Sequence, residues 1–71
     1  MATITFSDGQ TTDASRIAKA TLFSVSERLL VEIRGGDPVK ISGPAVFADA
    51  EMLNNVRDEG KLPFLVFEKG A

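Results

Sequence analysis

The sequence predicts an α+β fold: a small antiparallel sheet of four to five strands, a meander, with one α-helix packed on it. Residues 29–34 alternate apolar and polar side chains, which is typical of a strand with one buried face. Residues 35–38, Gly-Gly-Asp-Pro, then favour a turn, and residues 39–42 resume the alternation. Pro44 opens a stretch with helical spacing of apolar residues that ends at Gly60.

Length and composition limit the class of protein. The 71 residues are enough for a single domain over 1–71, and 44% hydrophobic with 25% charged residues is ordinary for a globular chain. There is no cysteine, so disulfides and thiolate metal sites are excluded. The N-terminus has no basic and apolar segments of a signal peptide, and the apolar runs are too short for a membrane span. We therefore expect a cytoplasmic protein, of a cell or of an infected host.

The first two strands are predicted near 3–6 and 10–12. Ile4 and Phe6 alternate with threonines, whose branched side chains suit a pleated sheet. Asp8-Gly9 is a strong signal for a tight hairpin turn, in which Gly9 adopts a positive φ. Asp8 is accordingly interpreted as a turn residue, in preference to a carboxylate that binds a ligand.

Residues 13–26 are ambiguous between helix and strand. A helix capped by Asp13 would leave Phe23 on its polar side. A strand near 16–24, with a helical turn at 13–16, suits the β-branched and aromatic residues of the second half better. The strand is favoured.

The predicted helix lies near 44–59, with Gly60 just beyond its end. Five residues fall on the side expected to be buried: Val46, Phe47, Ala50, Leu53 and Val56. Ala45, Ala48 and Met52 lie on the outer side, where a methionine beside small residues can form an adaptable contact patch. The helical acids, Asp49 and Glu51 among them, are interpreted as a solvated face.

The last predicted strand, near 62–68, is apolar on both faces. Pro63 cannot donate a ladder hydrogen bond, which favours an edge position, and an apolar edge strand can pair with another chain. Pro63, Leu65 and Phe67, together with the helical patch, are the candidate protein-interaction residues. The alternative is that Leu65 and Phe67 cover a second layer of the chain itself.

No catalytic or cofactor-binding residues are recognised in the sequence. Without histidine or cysteine there is no imidazole base and no thiol nucleophile, so we expect no enzyme, cofactor, metal or small-molecule substrate. The charge balance and the positions of the aromatic residues also disfavour nucleic-acid binding. Arg16, Lys19, Arg28, Arg34 and Lys40 are matched by five acids, and the phenylalanines all fit core or seam positions.

The stretch from Ser15 to Phe47 is similar to the KTSC domain. That family also has a strand pair followed by a helix that begins with proline and carries a Val-Phe or Val-Tyr pair, here Pro44 and Val46-Phe47. The similarity covers under half of the chain. The lysine, threonine, serine and cysteine that name the family are not recognisable in this sequence, so no site is carried over.

These observations predict a non-enzymatic protein-binding module. It would act as a small homo-oligomer, or as an accessory or inhibitor-type protein docked on a larger assembly, as is common among phage and mobile-element proteins of this size. The alternative function is a small β-barrel-like nucleic-acid binder.

Overall fold

The computed structural model describes residues 3–62 and 65–70. Within these residues, six strands and one α-helix form an α+β fold with a two-stranded and a four-stranded sheet. The elements in chain order are β1 (Thr3–Thr5), β2 (Thr11–Asp13), a 3-10 turn (Ala14–Arg16), β3 (Ile17–Phe23), β4 (Arg28–Ile33), β5 (Val39–Ser42), α1 (Val46–Asp58) and β6 (Val66–Gly70).

The large sheet is mixed, which corrects the prediction of a purely antiparallel one. Its strand order is β5-β4-β3-β6, and β6 runs parallel to β3 at one edge. Both β5 and β3 are antiparallel to β4, so β5 and β6 point in the same direction. Two parallel strands need a long crossover between them, and α1 lies in that connection. The alternation of side chains carries no information on strand direction, so it could not distinguish a parallel β6 from the predicted antiparallel one.

The β1–β2 hairpin forms around the predicted Asp-Gly turn. Gly9 has a φ of +91°, as predicted, and its N–H donates to the Phe6 carbonyl oxygen at 3.0 Å. The Asp8 carboxylate accepts from the Gln10 N–H at 3.0 Å, which makes Asp8 part of the turn itself.

The ambiguous stretch contains a 3-10 turn followed by β3. The Asp13 carboxylate accepts from the Ser15 N–H and hydroxyl, at 2.9 and 2.8 Å, and so caps the turn. In β3 the register against β4 shifts between Ile17 and Lys19. This bulge changes which side chains point to the covered side of the strand. Ile17 and Ala20 are therefore both buried although they are three residues apart.

Helix α1 is held at its C-terminal end by backbone geometry. Gly60 has a φ of +80°, and its N–H donates to the Arg57 carbonyl oxygen at 2.9 Å. The Lys61 N–H reaches back to the Val56 carbonyl oxygen at 3.2 Å, which completes a Schellman motif. At the other end no side chain caps the helix, and Pro44 precedes its first turn.

One face of the large sheet forms the core together with α1, which packs on β3 and β4. We call this side the covered face. Its buried side chains are Ala20, Leu22, Leu29, Val31, Val39 and Ile41. Val46, Ala50 and Leu53 of α1 and Ile4 and Phe6 of the hairpin region belong to the same cluster.

Phe47 and Asp49 of α1 differ from the predicted burial. Phe47 is 43% exposed, although the sequence placed it in the core. Asp49 is only 5% exposed, although it was assigned to a solvated acidic face. Its carboxylate accepts from the Ser7 hydroxyl at 2.7 Å and from the Ser7 N–H at 3.1 Å, so burial is compensated by hydrogen bonds. Asp49 thereby connects the helix to the end of the first strand region.

In the part of the chain that is described, no helix is both long enough and apolar enough to cross a bilayer.

Candidate functional site

The second face of the large sheet points away from the helix, and we call it the open face. None of its described side chains is buried. They are Lys19, Thr21 and Phe23 of β3, Arg28, Leu30 and Glu32 of β4, Lys40 and Ser42 of β5, and Val66 and Glu68 of β6. Because side chains alternate along each strand, the same strands that form the core also form this surface.

A shallow depression of about 280 Å³ lies at one end of the open face. Leu30 and Lys40, which the register places side by side, form one row of its lining. The lining consists of Phe23, Arg28, Leu30, Lys40 and Ser42, together with Leu29 and Ile41, which belong to the core. Two apolar side chains of the open face, Phe23 and Leu30, thus lie beside two cations in this depression.

The position of the Phe23 ring depends on a glycine in the neighbouring strand. Gly70 of β6 lies beside Phe23 in the register, and the ring lies against its backbone. A Cβ added at Gly70 would be 2.5 Å from Phe23 Cδ1, closer than such atoms approach each other. Any larger residue at this position would therefore displace the ring that borders the depression.

The cations of the depression differ from others in the protein. Lys19 is paired with Glu68 at 3.2 Å, and the Arg16 guanidinium donates to the Arg34 carbonyl oxygen at 3.0 Å. The side chains of Arg28 and Lys40 make no ion pair or hydrogen bond with any residue of 3–62 or 65–70. Their charges are available to an incoming anion.

The size of the depression limits what it can hold. Small-molecule and cofactor pockets are usually about 300–1,000 Å³ and enclose their ligand. At about 280 Å³ this depression is at the lower end of that range, and it is open to solvent on one side. Among residues 3–62 and 65–70, no group of three or more carboxylate, histidine or cysteine side chains is placed to hold a metal ion.

The predicted interaction residues of the C-terminal strand are distributed over both faces. β6 is an edge strand of the sheet, as predicted. Leu65, however, is 8% exposed and belongs to the core, and Phe67 is half-buried against that core. Val66, which is 54% exposed, is the apolar residue that β6 presents on the open face. Pro63 lies outside the described residues. The geometry favours the alternative in which Leu65 and Phe67 cover the chain's own core.

The predicted helical patch is small. Ala45 and Ala48 are exposed, but Met52 is half-buried and packs against the core. Two alanine methyl groups and the exposed part of Phe47 offer much less apolar surface than the open face does. The helix is therefore the weaker candidate for a contact surface.

Two carboxylates near the hairpin have shifted pKa values, and both serve local structure. Hydrogen bonds from the Gln10 side chain and N–H lower the pKa of Asp8 from its ordinary value of 3.8. Hydrogen bonds from the Ser15 N–H and hydroxyl likewise lower the pKa of Asp13. Each carboxylate is satisfied by a neighbour in sequence, which supports the interpretation of Asp8 as a turn residue.

Sequence reasoning did not identify the depression, although its signal is present. Leu30 falls on the polar side of the alternation in residues 29–34, and Phe23 has the opposite parity to Leu22. Large apolar residues at outward positions indicate a contact surface only when they lie side by side. The strand register brings Phe23 and Leu30 into adjacent rows, and that register could not be read from the sequence.

Comparison with known proteins finds no significant similarity to any protein-family model, any curated protein or any solved structure. The likeness to the KTSC domain over residues 15–47 therefore remains a similarity of pattern, and the site must be interpreted from its own geometry.

Proposed function

We propose that this chain is a non-enzymatic protein-binding module that docks on its partner through the open face. The observation that carries the proposal is the depression lined by Phe23 and Leu30, which lies on the sheet and is left uncovered by the described residues. Partner-binding surfaces commonly combine apolar side chains with a polar rim. The partner is either a second copy of the chain or a larger assembly on which it acts as an accessory or inhibitor-type protein.

The two faces of the sheet contribute differently to the fold, and this difference supports a binding role. The covered face supplies the core, so substitutions on the open face can change recognition without removing the residues that stabilise the fold. Absence of histidine and cysteine from the sequence is consistent with a function that needs no acid–base or thiol chemistry.

The proposal is tested by affinity capture from the organism that encodes the chain, with mass spectrometry of the recovered proteins. Leu30→Gln replaces an apolar side chain of the lining with a polar one. Val25→Gln is the matched control, because Val25 is 83% exposed in the turn between β3 and β4. We expect wild type and Val25→Gln to recover a protein that Leu30→Gln loses, with circular dichroism showing all three folded.

Self-association is measured separately by sedimentation at high micromolar concentration. A wild-type dimer that Leu30→Gln converts to a monomer identifies the partner as a second copy. A monomeric wild type that recovers the same proteins as Leu30→Gln would show the proposal to be wrong.

Single-stranded nucleic acid is the second candidate, favoured by one observation that the sequence did not provide. Phe23 is half-buried on the sheet surface next to Arg28, one of the two free cations of the depression, an arrangement that can stack a base. Sheets that bind single strands usually stack two or three bases on aromatic side chains, whereas Phe23 is the one aromatic ring on the described open face. A mobility shift that weakens with salt would support this candidate.

A further inference from the structure

We infer that the open face recognises an acidic segment of a partner protein, in which a large apolar side chain is flanked by carboxylates. The apolar side chain occupies the depression over Leu30, and a carboxylate lies between Arg28 and Lys40. This inference rests on the proposed function and adds the chemistry of the partner to it.

The first argument is the placement of the two free cations. Arg28 is opposite Ser42 in the register, and Lys40 is opposite Leu30, so Arg28 and Lys40 are diagonal neighbours on adjacent strands. Diagonal neighbours in an antiparallel pair lie about 7–8 Å apart. A carboxylate between them can accept from the guanidinium and the ammonium together, and such charge-assisted hydrogen bonds are stronger than neutral ones.

The second argument is charge complementarity. The chain as a whole has a net charge of −2, yet no acid among the described residues lines the depression. Of the described acids of the open face, Glu32 lies one row beyond Leu30 on β4, next to Lys19. Glu68 lies in the Leu30 row but two strands away on β6, where it is already paired with Lys19. A carboxylate that enters the depression meets positive charge without a competing local acid.

The same distribution disfavours a polyanion. An extended phosphate backbone that left the depression along β4 would pass Glu32, and one that crossed the sheet along the Leu30 row would pass Glu68, so a carboxylate repels it on either path. A peptide carries its charge on separate side chains, so its carboxylates can be confined to the basic end. The face is therefore better matched to an acidic peptide segment than to a nucleic acid.

The experiment is an amide-shift NMR titration of the full chain with three synthetic peptides of equal length. Each peptide has a central Phe-Leu pair, flanked by glutamates in the first, by glutamines in the second and by lysines in the third. We expect the glutamate peptide to shift the amides of β4 and β5 around the depression, and to bind at least about tenfold more tightly than the glutamine peptide. The lysine peptide should bind most weakly.

Variants assign this preference to the two cations. Arg28→Gln combined with Lys40→Gln should abolish the advantage of the glutamate peptide over the glutamine peptide. Lys69→Gln is the matched control. Lys69 is an exposed cation of the same sheet, but the alternation along β6 places it on the opposite face from the depression. It should retain the full preference.

The outcomes separate this inference from the proposed function. If the glutamate and glutamine peptides bind the open face equally, or the double variant keeps the preference, the acidic chemistry is wrong while protein binding stands. If no peptide shifts these amides at millimolar concentration, the inference is wrong, and the proposed function is judged by the capture comparison with Leu30→Gln.

Two further probes identify other occupants. An oligothymidylate that binds more tightly than the glutamate peptide overturns the inference in favour of nucleic acid. Amide shifts at the depression that change on dilution of the protein alone overturn it in favour of a second copy.

Discussion

The two faces of the four-stranded sheet are built by the same strands, yet they differ in almost every property. On β4, Leu29 is 1% exposed in the core, while its neighbour Leu30 is half-exposed in the depression. The covered face is apolar throughout β3, β4 and β5, whereas the open face mixes Leu30 and Phe23 with charged side chains. The helix is what makes the difference, because it packs on one side of the sheet.

The difference assigns the free energy of folding mainly to the covered face and leaves the open face for contact with other molecules. Burial of apolar surface provides most of the free energy of folding, so the covered face must stabilise the fold. Apolar residues of the open face bury little surface within the chain, and their free-energy gain is available on contact with another molecule. The comparison can be tested by substitutions that affect one face at a time.

The largest expected effect is the contrast between Leu29→Ala and Leu30→Ala. Truncating the buried Leu29 removes its transfer free energy and leaves a cavity, so the free energy of unfolding should fall by about 2–5 kcal/mol. Truncating Leu30 should cost about 1 kcal/mol or less, because water reaches the site already. Urea denaturation of both variants measures the contrast. Equal losses would mean that the open face is covered as well.

The next largest effect concerns the connection between the helix and the hairpin region. Asp49→Ala should reduce the free energy of unfolding by about 1–3 kcal/mol, because the Ser7 N–H and hydroxyl lose their acceptor where the carboxylate was buried. Glu51→Ala is the control, since Glu51 is an exposed acid of the same helix and should change stability by less than about 0.5 kcal/mol. Similar values for the two variants would contradict the role assigned to Asp49.

The hairpin turn should respond to backbone strain alone. At Gly9 an added Cβ would meet no atom within 4 Å, but its φ of +91° is unfavourable for a β-branched residue. Gly9→Val should therefore cost about 1–3 kcal/mol in thermal or chemical unfolding. Asp8→Asn keeps an acceptor for the Gln10 N–H and should be nearly silent. A greater loss for Asp8→Asn than for Gly9→Val would point to a functional carboxylate.

The smallest effect is a pH dependence at the 3-10 turn. The pKa of Asp13 is lowered in the folded chain, so its contribution to stability is present above the ordinary value of 3.8 and is lost as pH falls through the lowered pKa. Ser15→Ala removes the hydroxyl donor but keeps the N–H donor, and it should move the pKa of Asp13 part of the way back to 3.8. Carboxyl-carbon NMR measures this shift, with Asp8 as an internal control that stays unchanged. An unaltered Asp13 pKa would show that the hydroxyl is not its partner.

The 3-10 turn and β3 together explain the mixed helix-like and strand-like pattern of residues 13–26. The buried residues Ala14, Ile17 and Ala20 recur every three positions, which resembles the period of a helix. The actual cause is a short 3-10 turn followed by a bulged strand, and both disturb the alternation that normally identifies a strand. Composition favoured the strand, because β-branched and aromatic residues suit the pleated sheet.

The sequence by itself determined the local features of this protein. Three features depend only on residues that are neighbours in the chain: the alternation along 29–34 and 39–42, the Asp-Gly turn, and the end of the helix at Gly60. Their physical causes can therefore be read from the sequence directly. Only the folded chain shows the direction of β6, the burial of Asp49 and the presence of Phe23 and Leu30 in the lining of one depression. Each of these depends on contacts between distant segments: Ser7 and Asp49, for example, are 42 positions apart. A one-dimensional pattern shows that a position is apolar or charged, but only the folded chain determines which partner it meets.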